Sequence, residues 1–117
     1  MQDFRKLEVW RRSHRFALQA YKLTRELPPD ERFGLCSQIR RAASSIPANI
    51  AEGCGRRGPG ELRQFLYVSM GSASELEYFL LLARDLRMLE VNRHHEIEGE
   101  LLEIKKMLAG LLQRLGR

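Results

Sequence analysis

Residues 44–60 read SSIPANIAEGCGRRGPG, and the way this stretch is taken decides how the chain folds. Upstream and into it, Leu35, Ile39, Ala42, Ile46 and Ile50 recur every three or four residues, the spacing that lines one face of an α-helix. Pro47 falls inside that run. It removes one helical hydrogen bond and normally bends a helix; the hydroxyls of Ser44 and Ser45 can be offered to nearby backbone carbonyls, which lets such a bend persist. Residues 53–60, GCGRRGPG, look superficially like a phosphate loop, but they lack the Gly-Lys-Ser/Thr ending and follow no strand. Their glycines instead end one helix. Pro59 opens the next, where a missing N–H costs nothing, and Glu61 lies near its positive end. The stretch is a structural corner: a small-residue helix, a turn displaying Arg56 and Arg57, and a new helix.

The same periodicity extends in both directions. A first helix spans about 4–27, with Val9, Phe16, Ala20, Leu23 and Leu27 on one line and Trp10, Ala17 and Tyr21 on the adjoining stripe; Pro28-Pro29 ends it. The second spans about 31–53, beginning near Asp30 or Phe33. The third spans about 59–89, and the fourth about 92–115, entered through Asn92 as N-cap and carrying Ile97, Leu101, Ile104, Leu108, Leu111 and Leu115. No segment alternates as a strand does. The expected fold is all-α: one antiparallel up-and-down four-helix bundle over 1–117, with helices of about 20–28 residues, roughly 30–42 Å long.

Two features of the helices point beyond the single chain. The third is apolar around most of its circumference: Leu62, Phe65, Leu76 and Phe79 on one stripe, Leu66, Met70, Ala73 and Leu80 on a second, Tyr67, Tyr78 and Leu81 on a third. In so small a bundle a second buried face indicates subunit contact. Small residues (Ala42, Ala43, Ser44, Ser45 and Ala48 on the second helix; Ser69, Gly71, Ser72, Ala73 and Ser74 on the third) let two backbones approach closely. Beside the apolar line of the second helix runs a polar one, Gln38, Arg41, Ser45, Asn49 and Glu52. Left unpaired near a core, each such group costs about 1–3 kcal/mol, so a hydrogen-bond network is expected, with Glu75 or Glu77 opposite Arg41.

Composition narrows the function. The 117 residues are 44% hydrophobic and 30% charged, a globular balance. No apolar run of about 18 residues occurs, and the opening MQDFRKLEVWRRSHR has no signal-peptide core, so the cytoplasm is the expected location. Cys36 and Cys54 are then expected reduced. His14, His94 and His95 fall at spacings that no common zinc site uses, and neither metal nor cofactor is expected. The net charge of +5 is uneven: residues 1–63 hold 13 Lys/Arg against 7 Asp/Glu, residues 64–117 hold 7 against 8. A basic face built from Arg11, Arg12, Arg15, Arg40, Arg56, Arg57 and Arg63 would suit an anionic partner. Tyr67 and Trp10 could stack on bases, although core packing is the plainer role for both. Catalysis is disfavoured, since Glu52, Arg41 and His14 come with no nucleophile–base pair, and His14 reads as a partly buried packing residue.

The blocks FGLCSQIRRAASSIPANIAEGCGR (33–56), FRKLEVW (4–10), LPPDERFGL (27–35) and FLYVSMGSASELEYFL (65–80) together resemble the bacterial four-helix-bundle family of 23S ribosomal RNA intervening-sequence proteins. That family also includes the accessory variability determinant of diversity-generating retroelements. The resemblance implies an antiparallel four-helix protomer assembling as a ring-shaped homopentamer. The retroelement members bind nucleic acid and a reverse transcriptase, with basic residues implicated. The first expectation is therefore a non-enzymatic homo-oligomer binding RNA or DNA through phosphate contacts. The alternative is an assembly or adaptor protein whose ring recruits another protein without nucleic acid. Arginines converging on one continuous face favour the first; neutralisation by Glu52, Glu75 or neighbouring carboxylates favours the second.

Overall fold

Four helices carry the chain in the computed structural model, which describes residues 2–31 and 34–116: α1 (Glu8–Glu26), α2 (Leu35–Cys54), α3 (Pro59–Asp85) and α4 (Val91–Leu115). Short 3-10 turns occupy Phe4–Lys6 and Pro29–Glu31, and no strand occurs among the described residues. Contacts between helices fix their directions. Thr24 meets Arg40 while Gln2 meets Cys54; Arg41 meets Glu75 while Ser69 meets Ile46; Glu77 meets Lys105 while Arg63 meets Leu115. Each neighbouring pair is thus antiparallel, and Glu26–Arg93 closes α1 against α4 in the same sense.

Along α1 and α2 the core lies where the periodicity places it, whereas on α4 Leu112 is buried and Ile97, Leu111 and Leu115 are only partly so. Leu35, Ile39, Ala42, Ile46 and Ile50 are all buried, facing Phe16 of α1, Leu66, Leu76 and Leu80 of α3, and Leu101, Ile104 and Leu108 of α4. Pro47 is buried too, within a helix that continues to Cys54. Ser44 donates its hydroxyl to the Arg41 carbonyl (3.3 Å), whereas Ser45 turns sideways to Ser72 (2.8 Å). Next to the proline, Ser69 Oγ donates to the Ile46 carbonyl (2.9 Å) in the buried α2–α3 seam. Gly53 allows the closest approach: a Cβ there would lie 2.9 Å from both Leu62 Cδ1 and Phe65 Cβ.

The helix ends depart from the expected bounds for local reasons. α1 begins at Glu8, because Asp3 accepts the Arg5 N–H (3.0 Å) and closes a separate turn, and Leu7 is extended. α2 begins at Leu35, its N–H held by Glu31 Oε1 (3.2 Å); the alternative start at Phe33 lies outside the described residues. α3 stops at Asp85 instead of running to Leu89. Arg87 is left-handed (φ 63°), and the Met88 N–H returns to the Ala83 carbonyl (2.9 Å), a helix-ending motif in which glycine is the usual residue. α4 starts at Val91 with Glu90 at its cap, so Asn92 lies in the first turn and caps nothing.

Candidate functional site

The seven candidate arginines divide into groups. Arg11 donates to Glu8 Oε2 (2.9 Å), and Arg15 reaches the same carboxylate (3.9 Å). Arg56 pairs with Glu52 (2.8 Å) and lies over the Phe65 ring. Arg63 points at the Leu115 carbonyl (3.5 Å). Arg12 and Arg57 make no ion pair among the described residues. Arg56 and Arg57 share a pocket of about 170 Å³ at the α2–α3 corner, with Gln2, Gly58, Pro59 and Leu115. Arg40 stands apart, fourteen residues and so about 21 Å along α2 from its Cys54 end, beyond which Arg56 lies. Its Nε donates to Thr24 Oγ1 (2.6 Å) and its guanidinium lies 5.1 Å from the centre of the Tyr21 ring. The arginines are therefore distributed over several faces, and three of them have carboxylate partners.

The polar line of α2 resolves into three clusters. Arg41 bridges Gln38 Oε1 (2.8 Å) and Glu75 Oε2 (2.9 Å). Asn49 Nδ2 donates to both the Ser45 carbonyl (2.8 Å) and the Ser45 hydroxyl (2.9 Å), and that hydroxyl meets Ser72. Glu52 is taken by Arg56. Glu77, the other candidate opposite Arg41, is held instead by Lys105 (2.8 Å). The first two clusters lie across the α2–α3 seam and link the helices laterally above a buried core.

A second surface was not read as one from the sequence. Ser44, Pro47, Ala48 and Ala51 of α2 do not all join the α3 seam. They form the floor of a groove of about 440 Å³ against α1, walled by Phe4, Trp10, His14, Ala17, Leu18 and Tyr21. Among the described residues no Lys, Arg, Asp or Glu lines it. Leu18 is 59% exposed, Trp10 packs on Phe4 (4.8 Å between ring centres), and His14 stacks on Trp10 (4.9 Å, 8° between planes). His14 is thus an exposed ring on a groove wall, not a partly buried packing residue. Its signal was available: positions 44, 47–48 and 51 lie one step out of phase with the α3-facing 42, 45–46, 49 and 53. Tyr67 also differs from expectation, being 60% exposed on α3 beside Val68, with Tyr78 further along the same face.

Nucleophile chemistry finds little purchase here. Burial pushes the thiols of Cys36 and Cys54 up from the ordinary range, holding both as protonated thiols at neutral pH. Among the described residues no group of three His, Cys, Asp or Glu is placed to hold a metal ion, and no helix is long and apolar enough to cross a membrane. With this geometry established, the sequence profile of the 23S rRNA-intervening sequence protein family matches residues 5–110. The chain belongs to that family. A crystal structure of a protein of unknown function from the S23 ribosomal protein family of Bacteroides thetaiotaomicron is similar to it, with a TM-score of 0.84 and 26% identity over 90% of this chain and 95% of that one. Among curated proteins none matches. Residues 5–110 contain both the α2–α3 corner and nearly all of the groove, so in this family member both surfaces are built on the shared fold.

Proposed function

We propose that the chain is a non-enzymatic, cytoplasmic adaptor that assembles with copies of itself and receives another protein in the α1–α2 groove. One observation carries this reading: no charged side chain among the described residues lines the groove, while the arginines that would form a continuous basic face are divided and in part paired with Glu8 and Glu52. An uncharged groove with Leu18 and Tyr21 exposed on its wall suits contact with another apolar surface. The ring-shaped homo-oligomer, a pentamer by the family resemblance, draws support from a different pair of patches. Tyr67, Val68 and Tyr78 lie on α3, and Leu86, Val91 and Leu102 on the α3–α4 turn and α4. Two unlike patches suit the head-to-tail contact that closes a ring.

A second reading, RNA or DNA held through phosphate contacts, is favoured by the α2–α3 corner, where Arg57 stands beside Arg56 and makes no ion pair among the described residues. The test combines light scattering on the purified chain with fluorescence anisotropy of a labelled structured RNA across salt. The adaptor reading expects an assembled mass, and RNA binding no tighter than the nonspecific level of about 1–100 µM near physiological salt. Tight binding that falls steeply with salt and is lost in Arg56→Glu/Arg57→Glu would replace it with the second reading. A monomer at all concentrations would remove the ring.

A further inference from the structure

We infer that the occupant of the α1–α2 groove is an amphipathic α-helix of a partner protein, carrying a carboxylate at one end of its apolar stripe where it meets Arg40. The inference rests on the adaptor reading and goes beyond it by naming the shape and charge of what is received.

The shape follows from the lining. Ser44, Pro47, Ala48 and Ala51 fall at helical spacing and present little side chain, so a second helix axis can come close over them. Trp10, His14, Leu18 and Tyr21 stand along one side as a ridge on α1. From Trp10 to Tyr21 the wall runs eleven residues, about 16 Å or three helical turns. The floor offers almost nothing to pair with a main chain: Ser44 Oγ is spent on the Arg41 carbonyl, Pro47, Ala48 and Ala51 have no polar side chain, and only Trp10, His14 and Tyr21 on the wall bring polar atoms. A strand or loop laid there would leave its N–H and C=O groups unsatisfied, whereas a helix satisfies its own.

The charge follows from Arg40, at the Tyr21–Ser44 end. Its guanidinium is fixed at two points, by the Nε–H bond to Thr24 Oγ1 and by the Tyr21 face, and Thr24 is itself held by the Tyr21 carbonyl (2.8 Å). Its Nη groups make no ion pair among the described residues, unlike those of Arg41 one residue on. A half-buried, pre-positioned guanidinium with free Nη groups matches a carboxylate in two-point fashion. At the opposite end Arg5 lies over Phe4 but already has Asp3 (3.4 Å). The acid of the partner therefore belongs at the Tyr21 end, which sets the register of the docked helix.

The test selects a display library of 16-residue helix-forming peptides, randomised on one face, against the full chain. Winners are then labelled and titrated against wild type, Ala48→Phe, Leu18→Glu and Arg40→Glu, with circular dichroism confirming that each variant folds. The expected winners carry apolar residues at i, i+3 or i+4, and i+7 with Asp or Glu at one end. They weaken at least tenfold with Ala48→Phe, Leu18→Glu and Arg40→Glu, and regain affinity for Arg40→Glu when their acid is replaced by Lys. Winners indifferent to Ala48→Phe and Leu18→Glu, or to Arg40→Glu, overturn the inference and leave the adaptor reading standing. No winners at all also overturns it; if Ala48→Phe then lowers the assembled mass, the occupant is a second copy and the adaptor reading falls as well.

Discussion

Helix α2 carries two faces of small residues, and only one of them is covered. Toward α3, Ser45 meets Ser72, the Ile46 carbonyl meets Ser69, and Gly53 lies against Leu62 and Phe65, so the gaps are closed by hydroxyl bonds and by direct contact. Toward α1, Ser44, Ala48 and Ala51 are just as small, yet the aromatic ridge opposite stands beside them and not over them. Side-chain size alone therefore does not make a seam. The α3 face is a seam because α3 brings Ser72 and Ser69 hydroxyls to Ser45 and the Ile46 carbonyl and packs Leu62 and Phe65 onto Gly53; no described residue of α1 covers the other face in this way.

Overfilling the covered face gives the largest contrast. Gly53→Val should lower stability by about 3 kcal/mol, the upper range for an overpacked site, because the added atoms meet Leu62 and Phe65 at the closest point of the two helices. Gly53→Ala should cost less, since about 1 kcal/mol of helix propensity offsets part of the clash. Urea denaturation of the three proteins checks this; an unchanged midpoint for Gly53→Val would mean that the seam is not tightly packed. Next in size is Ser69→Ala, which removes the buried donor to Ile46 and should cost about 1 kcal/mol. Circular-dichroism melts showing no loss would make that hydroxyl incidental to the seam.

What the sequence made legible tracks how local each cause is. The apolar line from Leu35 to Ile50 is buried throughout, because spacing along one helix is all it requires. Arg41 could be matched to Glu75 or Glu77 from the polar line of α2, but the choice of Glu75, with Glu77 going to Lys105, could not be read. The ends of α1 and α3 were not legible: one depends on Asp3 closing an isolated turn, the other on Arg87 occupying a conformation that sequence assigns to glycine. The arginines could be listed but not grouped, since their partners (Glu8, Glu52, Thr24 with Tyr21) are decided by rotamer and packing. The groove was hidden for another reason. Ser44 and Ala48 share a residue class with Ala42 and Ser45, and only their phase around the helix separates the two faces.

The thiols test whether α2 is as dry where it faces α1 as where it meets the core. Cys36 Sγ lies 3.6 Å from the Thr24 carbonyl, and both cysteines are buried. Burial raises both pKa values above those of the unfolded chain. The folded state then holds the thiol protons more tightly, so this contribution is complete below the ordinary thiol range and is lost as pH rises through the raised values. Melting temperature should fall from pH 8 to pH 10 more steeply in wild type than in Cys36→Ala/Cys54→Ala. Parallel slopes would show that water reaches both sulfurs.

The smallest expected effect is the most informative about the uncovered face. Ala48 is exposed in the groove, so Ala48→Phe has nothing to collide with and should cost only the roughly 0.5 kcal/mol of helix propensity that separates the two residues. The same kind of enlargement at Gly53, five residues on, is expected to cost several times more. A differential of that size between two small positions on one helix would show that the faces differ in being covered and not in their composition. Measured by denaturation at low protein concentration, a loss for Ala48→Phe comparable to that for Gly53→Val would break the comparison: the groove would then already be filled in the isolated chain, and the ridge of Trp10, Leu18 and Tyr21 would have to close over α2 in solution.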